Sequence, residues 1–145
     1  MAIALRANDF DPGEELAGYQ EVLGQRGKYG AVISFVGTMR DFNEGRAVRA
    51  MTLEHYPGMT ERHLEQICAE AKRRWDILDT LVIHRIGEVR PNDPIVLAAV
   101  WSAHRAAAFE ACRYLIEELK TRAPFWKKER LHEASQWVEH NTPVV

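Results

Sequence analysis

The sequence predicts an α+β domain in which mixed or antiparallel strands pack against two long amphipathic helices. Short apolar segments rich in β-branched residues, such as residues 31–36, are typical of buried strands. Two longer segments, 60–75 and 102–119, instead repeat apolar residues every three or four positions, which is the spacing of one helix face. Turn residues are spread evenly along the chain, so residues 1–145 are expected to form a single domain.

The first half of the chain contains one predicted helix between strands. In chain order, the predicted elements are a strand at 3–6, a helix from Asp11-Pro12-Gly13 to about Leu23, a strand at 31–36, a loop at 41–45 and a strand at 48–56. The loop separates two strands, and residues at such junctions are often functional.

The second half contains both long helices. Thr60 and Ser102 are predicted to cap their N-termini. The buried stripes are predicted at Leu64, Ile67, Cys68, Ala71 and Trp75 in the first helix, and at Ala108, Phe109, Cys112, Leu115, Ile116 and Leu119 in the second. Strands are predicted at 80–86, 95–101, 125–130 and 135–139, with Pro124 ending the second helix.

Composition narrows the possible functions. The 145 residues carry a formal net charge of -2, so a basic site must come from local clustering and nucleic acid is not an expected partner. The N-terminus lacks a signal-peptide pattern, and no apolar run has the ~20 residues of a membrane helix. The two cysteines form no CxxC pair and no metal-ligand spacing with histidine, which favours the cytoplasm. The sequence also has no Gly-rich phosphate loop and no metal motif, and no metal or cofactor is expected.

Three places contain residues suited to binding an anion. His104 and Arg105 lie where the second long helix begins, and a helix N-terminus attracts negative charge. A cationic and aromatic segment at 120–128 follows at the other end of that helix, and Arg40 follows the strand at 31–36. Each also has an ordinary interpretation as a solvated or helix-terminal cation, and these patterns alone do not identify a catalyst.

Taken together, these segments resemble the large subunit of molybdopterin synthase. The segments Leu53-Glu54-His55-Tyr56-Pro57-Gly58-Met59-Thr60 and Leu119 to Lys127 carry most of the resemblance, because they are long and unusual. It also includes Phe35-Val36-Gly37 with Arg40, and Ser102-Ala103-His104-Arg105, and it extends from about residue 30 to residue 139.

The resemblance implies a fold, a reaction and partners. The implied fold is an α/β hammerhead, and the implied assembly is a homodimer at the centre of a heterotetramer. Each large subunit would receive the C-terminal Gly-Gly tail of a small ubiquitin-like subunit, whose thiocarboxylate donates sulfur. The implied substrate is cyclic pyranopterin monophosphate (precursor Z), and two sulfur transfers give the dithiolene of molybdopterin.

The resemblance also implies roles for particular residues. Lys120 and Lys127 match the family's catalytic lysines, and the substrate-binding positions are Arg40, His104, Arg105, Phe35 and Ile116. Ile116 stands where some members have methionine. Where some relatives carry an anion-binding arginine, this chain reads His140-Asn141.

Helix geometry constrains how these residues meet. His104 and Lys120 are 16 residues apart on one predicted helix, which is roughly 24 Å at ~1.5 Å per residue. They are therefore expected to form one pocket only if a second subunit supplies His104 and Arg105. Two other functions remain open from the residues alone, namely a non-catalytic adaptor for a ubiquitin-like tail and a phosphohydrolase, although no metal motif or nucleophile supports the latter.

Overall fold

A computed structural model describes residues 1–43, 46–122, 125–131 and 135–137. These residues form three helices and nine strands. The elements are β1 (Ala2–Arg6), α1 (Pro12–Leu23), β2 (Ala31–Thr38), β3 (Phe42–Asn43), β4 (Arg46–His55), α2 (Met59–Arg74), β5 (Asp79–Arg85), β6 (Gly87–Val89), β7 (Pro94–Ser102), α3 (Arg105–Thr121), β8 (Phe125–Leu131) and β9 (Ser135–Trp137). The predicted α+β class and every predicted helix are confirmed. The described residues do not include Glu44, Gly45, Pro124 or the predicted strand residues Val138 and Glu139.

The main sheet has four strands in the order β1-β5-β7-β2. β1 pairs with β5 in parallel, whereas β7 pairs antiparallel with both β5 and β2. Alternate residues of β5 and β7 pack on opposite faces, as the two-residue period of a strand requires. One face packs against α2 and α3, and the other packs against α1. β2 therefore forms one edge of this sheet among the described residues.

The largest core lies between the sheet and the helices α2 and α3. Leu64 and Cys68 of α2 meet Leu115 and Cys112 of α3 over the strand residue Val100, and all five are buried. This arrangement confirms most of both predicted stripes. Phe109 is the exception, because it is 57% exposed and points away from the core.

A second sheet has β3, β4, β8 and β9 in that order, with β6 also paired to β4. Its small core contains the buried residues Met39, Val48, Met51, Leu53 and Val89. The short strand β3 includes part of the predicted loop at 41–45, and β6 was not predicted. Met39 lies at the end of β2, so this core attaches the second sheet next to that end of the main sheet.

Two predicted helix caps are wrong by two residues. α2 begins after Gly58, whose backbone N–H meets the Glu61 carboxylate at 3.2 Å, while the Thr60 hydroxyl accepts from the Tyr56 N–H. The N-cap of α3 is His104, and Ser102 is the last residue of β7. The Ser102 hydroxyl still accepts the His104 N–H at 3.1 Å, so it orders the chain just before the helix.

Gly30 allows β2 and the start of α3 to approach closely. A Cβ atom at this position would stand 2.7 Å from the backbone oxygen of Ala103, well inside van der Waals contact. The Gly30 N–H also donates to the Ser102 carbonyl at 3.0 Å. The first turn of α3 is thereby fixed beside the beginning of β2. No helix in the described part of the chain is long and apolar enough to cross a membrane.

Candidate active site

Arg40 is held at the junction between the two sheets. The preceding residue, Met39, exchanges two backbone hydrogen bonds with the turn at Asn92 and Asp93, of 2.9 and 3.0 Å. The following residue, Asp41, accepts the Val48 N–H at 2.8 Å. The backbone is thus fixed on both sides of an exposed arginine. Arg40 therefore follows the end of β2, as predicted, and its functional role stays a prediction.

Lys120 lies in the last turn of α3 and is half-buried. Burial lowers the pKa of its ammonium group, and the positive charge of Arg40 lowers this pKa further. Both effects disfavour the charged form. The fold therefore brings together two predicted site residues that are 80 positions apart in sequence, and it makes Lys120 easier to deprotonate than an exposed lysine.

Phe35 and Ile116 lie on neighbouring surfaces of β2 and α3. Phe35 is paired with Ala98 and is 36% exposed, whereas Ile116 is buried in the main core. Gly37 provides the space for the Phe35 ring, because a Cβ there would lie 3.3 Å from that ring and 2.9 Å from Val96. Phe35 therefore lies on the face of the main sheet that carries α3, because its strand partner Ala98 belongs to the core beneath that helix.

Lys127 belongs to β8 and is paired with Leu53 of β4. The structure describes only its backbone. Phe125, two residues before Lys127, stacks on His84, with ring centroids 3.9 Å apart and planes at 12°. His84 is buried and its Nδ1 lies 2.7 Å from the Arg85 carbonyl, which confirms it as a structural histidine.

His104 and Arg105 lie at the opposite end of α3 and are exposed. The 16-residue interval to Lys120 corresponds to roughly 24 Å of helix. Within one chain the structure therefore brings Arg40 and Lys120 together but leaves His104 and Arg105 apart from them. His140 and Asn141 lie outside the described residues.

Neither cysteine is a candidate nucleophile. Cys68 and Cys112 are buried in the main core, and burial raises the pKa of both thiols, that of Cys112 to about 11. This confirms the prediction that they are inert packing groups. The described residues contain no group of three or more His, Cys, Asp or Glu side chains arranged to hold a metal ion.

Sequence reasoning missed a groove of about 810 Å³ between α1 and the strands β1 and β5. Tyr19 and Asp79 line it, and the Tyr19 hydroxyl donates to Asp79 at 2.5 Å. Burial raises the Asp79 pKa, but hydrogen bonds from the N-terminal ammonium and Tyr19 outweigh it, so this pKa is lowered overall. The groove contains neither Lys120 nor Arg40, and these polar contacts serve to attach α1 to the sheet.

Comparison with known proteins decides the family. A family model described as MoaE protein matches residues 5–122. The chain belongs to the MoaE protein family. The molybdopterin synthase catalytic subunit of Pseudomonas aeruginosa is 52% identical over 139 residues, which cover 96% of this chain and 91% of that protein.

Solved structures confirm the hammerhead-type α+β fold. The X-ray crystal structure of molybdopterin synthase from Staphylococcus aureus matches with a TM-score of 0.83 at 33% identity, over 94% of this chain and 96% of that one. A complex of subunits 1 and 2 of molybdopterin-converting factor from Helicobacter pylori shares the fold, with a TM-score of 0.79 at 23% identity, over 94% and 90% of the two chains. Family membership makes this chain an enzyme of molybdopterin biosynthesis that transfers sulfur.

Proposed function

We propose that Lys120 and Arg40 form the catalytic centre at which sulfur passes from a thiocarboxylate to cyclic pyranopterin monophosphate. The observation that carries this proposal is the half-buried Lys120, whose pKa is lowered by burial and by the Arg40 charge. A lysine with a lowered pKa is suited to proton transfer near neutral pH. Lys127 in β8 is proposed as the second catalytic lysine, and Phe35 and Ile116 as the apolar wall beside the pterin.

The charges of the reactants suit this site. The substrate carries a phosphate and the donor is an anionic thiocarboxylate, so cations are needed to bring them together. Arg40 is suited to an oxyanion or phosphate because its guanidinium donates several hydrogen bonds in a fixed plane. Lys120 acts as a general base or acid, or stabilises a developing oxyanion. A cysteine is not required, because the sulfur arrives on the donor.

The donor is proposed to be the C-terminal Gly-Gly tail of a small ubiquitin-like subunit. The Helicobacter pylori structure, which is a protein–protein complex of two molybdopterin-converting factor subunits, supports a two-subunit assembly. Within it, this chain, folded as one domain over residues 1–145, would form a central homodimer, with one small subunit on each copy. Two transfers at one centre would then complete the dithiolene.

The pocket is proposed to be shared between the two copies of the homodimer. Arg40 and Lys120 lie at one end of α3, while His104 and Arg105 lie exposed at the other. The helix N-terminus adds a partial positive charge to those two side chains, which suits a phosphate. Both pairs can bind the same pterin phosphate if His104 and Arg105 come from the second copy.

Reconstitution with purified components tests the proposal. The wild-type chain, cyclic pyranopterin monophosphate and a thiocarboxylated small subunit are expected to yield molybdopterin. Lys120→Ala is expected to lower single-turnover formation by about 10²–10⁴-fold, the usual range for a lost acid–base group. Lys72→Ala is the matched control, since Lys72 is exposed on α2.

The same experiment separates the competing functions. An adaptor would bind the small subunit and leave product formation unaffected by Lys120→Ala. A phosphohydrolase would release inorganic phosphate from the pterin without any sulfur donor. Either result, or equal yields from the Lys120 and Lys72 variants, would contradict the proposed centre.

A further inference from the structure

We propose that Asn92 is a positioning residue for the candidate active site, because its left-handed backbone holds Met39 and thereby sets where the Arg40 guanidinium lies relative to Lys120. The inference rests on the proposed function, since it concerns the same pair of cationic side chains. It adds to that site a residue of a different turn, which acts on the pair through the backbone.

Residues 90–93 form a tight turn between β6 and β7. The Asp93 N–H donates to the Arg90 carbonyl at 3.0 Å, and the Arg90 N–H donates to the Asp93 carboxylate at 3.0 Å. Asn92 has a φ of 74° and follows Pro91. A proline at the second position and a positive φ at the third are features of a type II turn. Asparagine adopts this left-handed conformation more readily than most residues other than glycine.

The left-handed conformation decides which way the central amide of this turn points. In a type II turn, the peptide between the second and third residues is rotated by roughly 150–170° relative to a type I turn. The N–H of Asn92 belongs to that peptide, and it donates to the Met39 carbonyl at 2.9 Å. A change to type I would turn this N–H away from Met39. The hydrogen bond therefore depends on the positive φ of Asn92.

The hydrogen bonds of Met39 begin where the ladder between β2 and β7 becomes irregular. Thr38 pairs with Pro94 after a register shift that passes over Ile95, and a proline has no N–H to donate. The Met39 N–H donates instead to the Asp93 carbonyl at 3.0 Å, next to the bond from residue 92. Irregularities of this kind redirect the side chains that follow them. Met39 is also buried in the core of the second sheet, so the chain enters residue 40 in a fixed direction.

The direction of Arg40 matters because its charge acts on Lys120. The positive charge of Arg40 adds to burial in lowering the Lys120 pKa. The described acidic neighbours on α3 are held in ion pairs of their own, Arg113–Glu117 at 2.7 Å and Arg122–Glu118 at 3.2 Å. Since the interaction between two charges weakens with distance, a displaced Arg40 would leave the Lys120 pKa higher. The turn at 90–93 is thereby linked to the protonation of Lys120.

Substitutions at Asn92 can change the backbone preference alone, because its side chain is exposed. Glycine adopts a positive φ without a steric penalty, alanine is disfavoured there, and a β-branched residue is a strong outlier. The series Asn92→Gly, Asn92→Ala and Asn92→Val therefore increases the tendency of the turn to leave type II. Asp41 still accepts the Val48 N–H on the other side of Arg40, so the displacement is expected to be partial.

The titration of Lys120 tests the proposal without using activity. Labelling of the Lys120 amine across a range of pH, read by peptide mass spectrometry, gives its midpoint in each variant. Asn92→Gly is expected to keep the wild-type midpoint, whereas Asn92→Ala and then Asn92→Val should move it to higher pH, toward the midpoint of Arg40→Ala. In the Arg40→Ala background, Asn92→Val should cause no further shift, because the coupling is already absent.

Two results of the labelling would overturn the proposal. One is a wild-type midpoint in the folded Asn92→Ala and Asn92→Val chains. The other is a shift by Asn92→Val that is just as large when Arg40 is alanine. Circular dichroism establishes which variants are folded, and Asn92→Ala decides the question if the valine variant does not fold.

Gln25→Val is the matched control. Gln25 is also exposed and has a φ of 59°, in a turn between α1 and β2 where its carbonyl accepts the Lys28 N–H at 2.9 Å. This turn precedes β2, whereas Arg40 follows the other end of that strand. Gln25→Val is expected to lower the melting temperature in the same way as Asn92→Val but to keep the wild-type Lys120 midpoint. An equal shift in both variants would mean that general destabilisation moves the midpoint, and the proposal would be wrong.

Single-turnover molybdopterin formation separates this proposal from the proposed function. A misplacement of about 1 Å can cost 10²-fold in rate, so Asn92→Val should lower the rate by up to about 100-fold. If the Lys120 midpoint shifts as expected but Lys120→Ala leaves the rate unchanged, the positioning is correct and the proposed function is wrong. If Lys120→Ala abolishes formation but the Asn92 series leaves the midpoint unchanged, the proposed function stands and the positioning by Asn92 is wrong.

Discussion

The close contact at Gly30 predicts that one methyl group destabilises the fold. In Gly30→Ala the new Cβ would stand 2.7 Å from the Ala103 carbonyl oxygen, which is backbone and cannot rotate away. The φ angle of Gly30 is not in the left-handed region, so the effect is steric. Overpacking of this kind costs about 1–3 kcal/mol. At about 2–4 °C per kcal/mol for a domain of this size, the melting temperature should fall by about 2–12 °C.

Gly18→Ala provides a control with the opposite sign. Gly18 lies inside α1, and a Cβ there would meet no atom within 4 Å. Alanine is favoured over glycine in a helix by about 0.5–1 kcal/mol, so this variant should be more stable than the wild type. Urea unfolding at one protein concentration measures both variants. A Gly30→Ala protein as stable as the wild type would refute the close contact.

Three further predictions follow from the core, the α1 contacts and the active site. Leu115→Ala, in the fully buried core, should lower the free energy of unfolding by about 2.7–5 kcal/mol in urea, and a loss below 1 kcal/mol would contradict its burial. Asp79 has a lowered pKa, so its carboxylate stabilises the fold at neutral pH, and this stabilisation is lost as the pH falls through the carboxyl range. Asp79→Asn should therefore be less stable than the wild type at pH 7, and its free energy of unfolding should fall less steeply with acid. Arg40→Ala removes a positive charge that lowers the Lys120 pKa, so the pH–rate limb due to Lys120 should move to higher pH, and an unmoved limb would exclude their coupling.

The sequence was sufficient to predict the helices and most of the strands, because local patterns of residues determine them. The apolar stripe of α3 predicted Ala108, Cys112 and Leu115 as buried, and all three are. The same stripe placed Phe109 in the core, whereas it is exposed. Periodicity identifies a helix face, but it does not show which parts of that face the neighbouring elements cover.

The candidate active site required long-range information. Sequence identified Arg40 and Lys120 separately, through their resemblance to family positions. Their coupling depends on the pairing of β2 with β7 and on the packing of α3 across both strands. No local pattern specifies such a contact. The distance between His104 and Lys120 could be predicted, because both lie on one helix of known rise.

The two helix N-caps were predicted at the wrong residues for a physical reason. An N-cap hydroxyl is expected to accept from an N–H inside the first turn of the helix. The Ser102 hydroxyl instead accepts from His104, the residue just before α3, and the Thr60 hydroxyl accepts from Tyr56, which precedes α2. Ser102 also donates to the Asp76 carbonyl at 2.8 Å, which holds it in β7. A side chain able to cap a helix can equally stabilise the chain leading into it.

Mixed dimers test the proposed shared catalytic centre most directly. Lys120→Ala and His104→Ala homodimers should each be inactive in molybdopterin formation. After subunit exchange, half of the dimers would carry one of each chain, and in a two-fold assembly each of these has one intact centre, so about one quarter of wild-type activity should return. No recovery after exchange that is verified by mass would contradict a centre built from two copies.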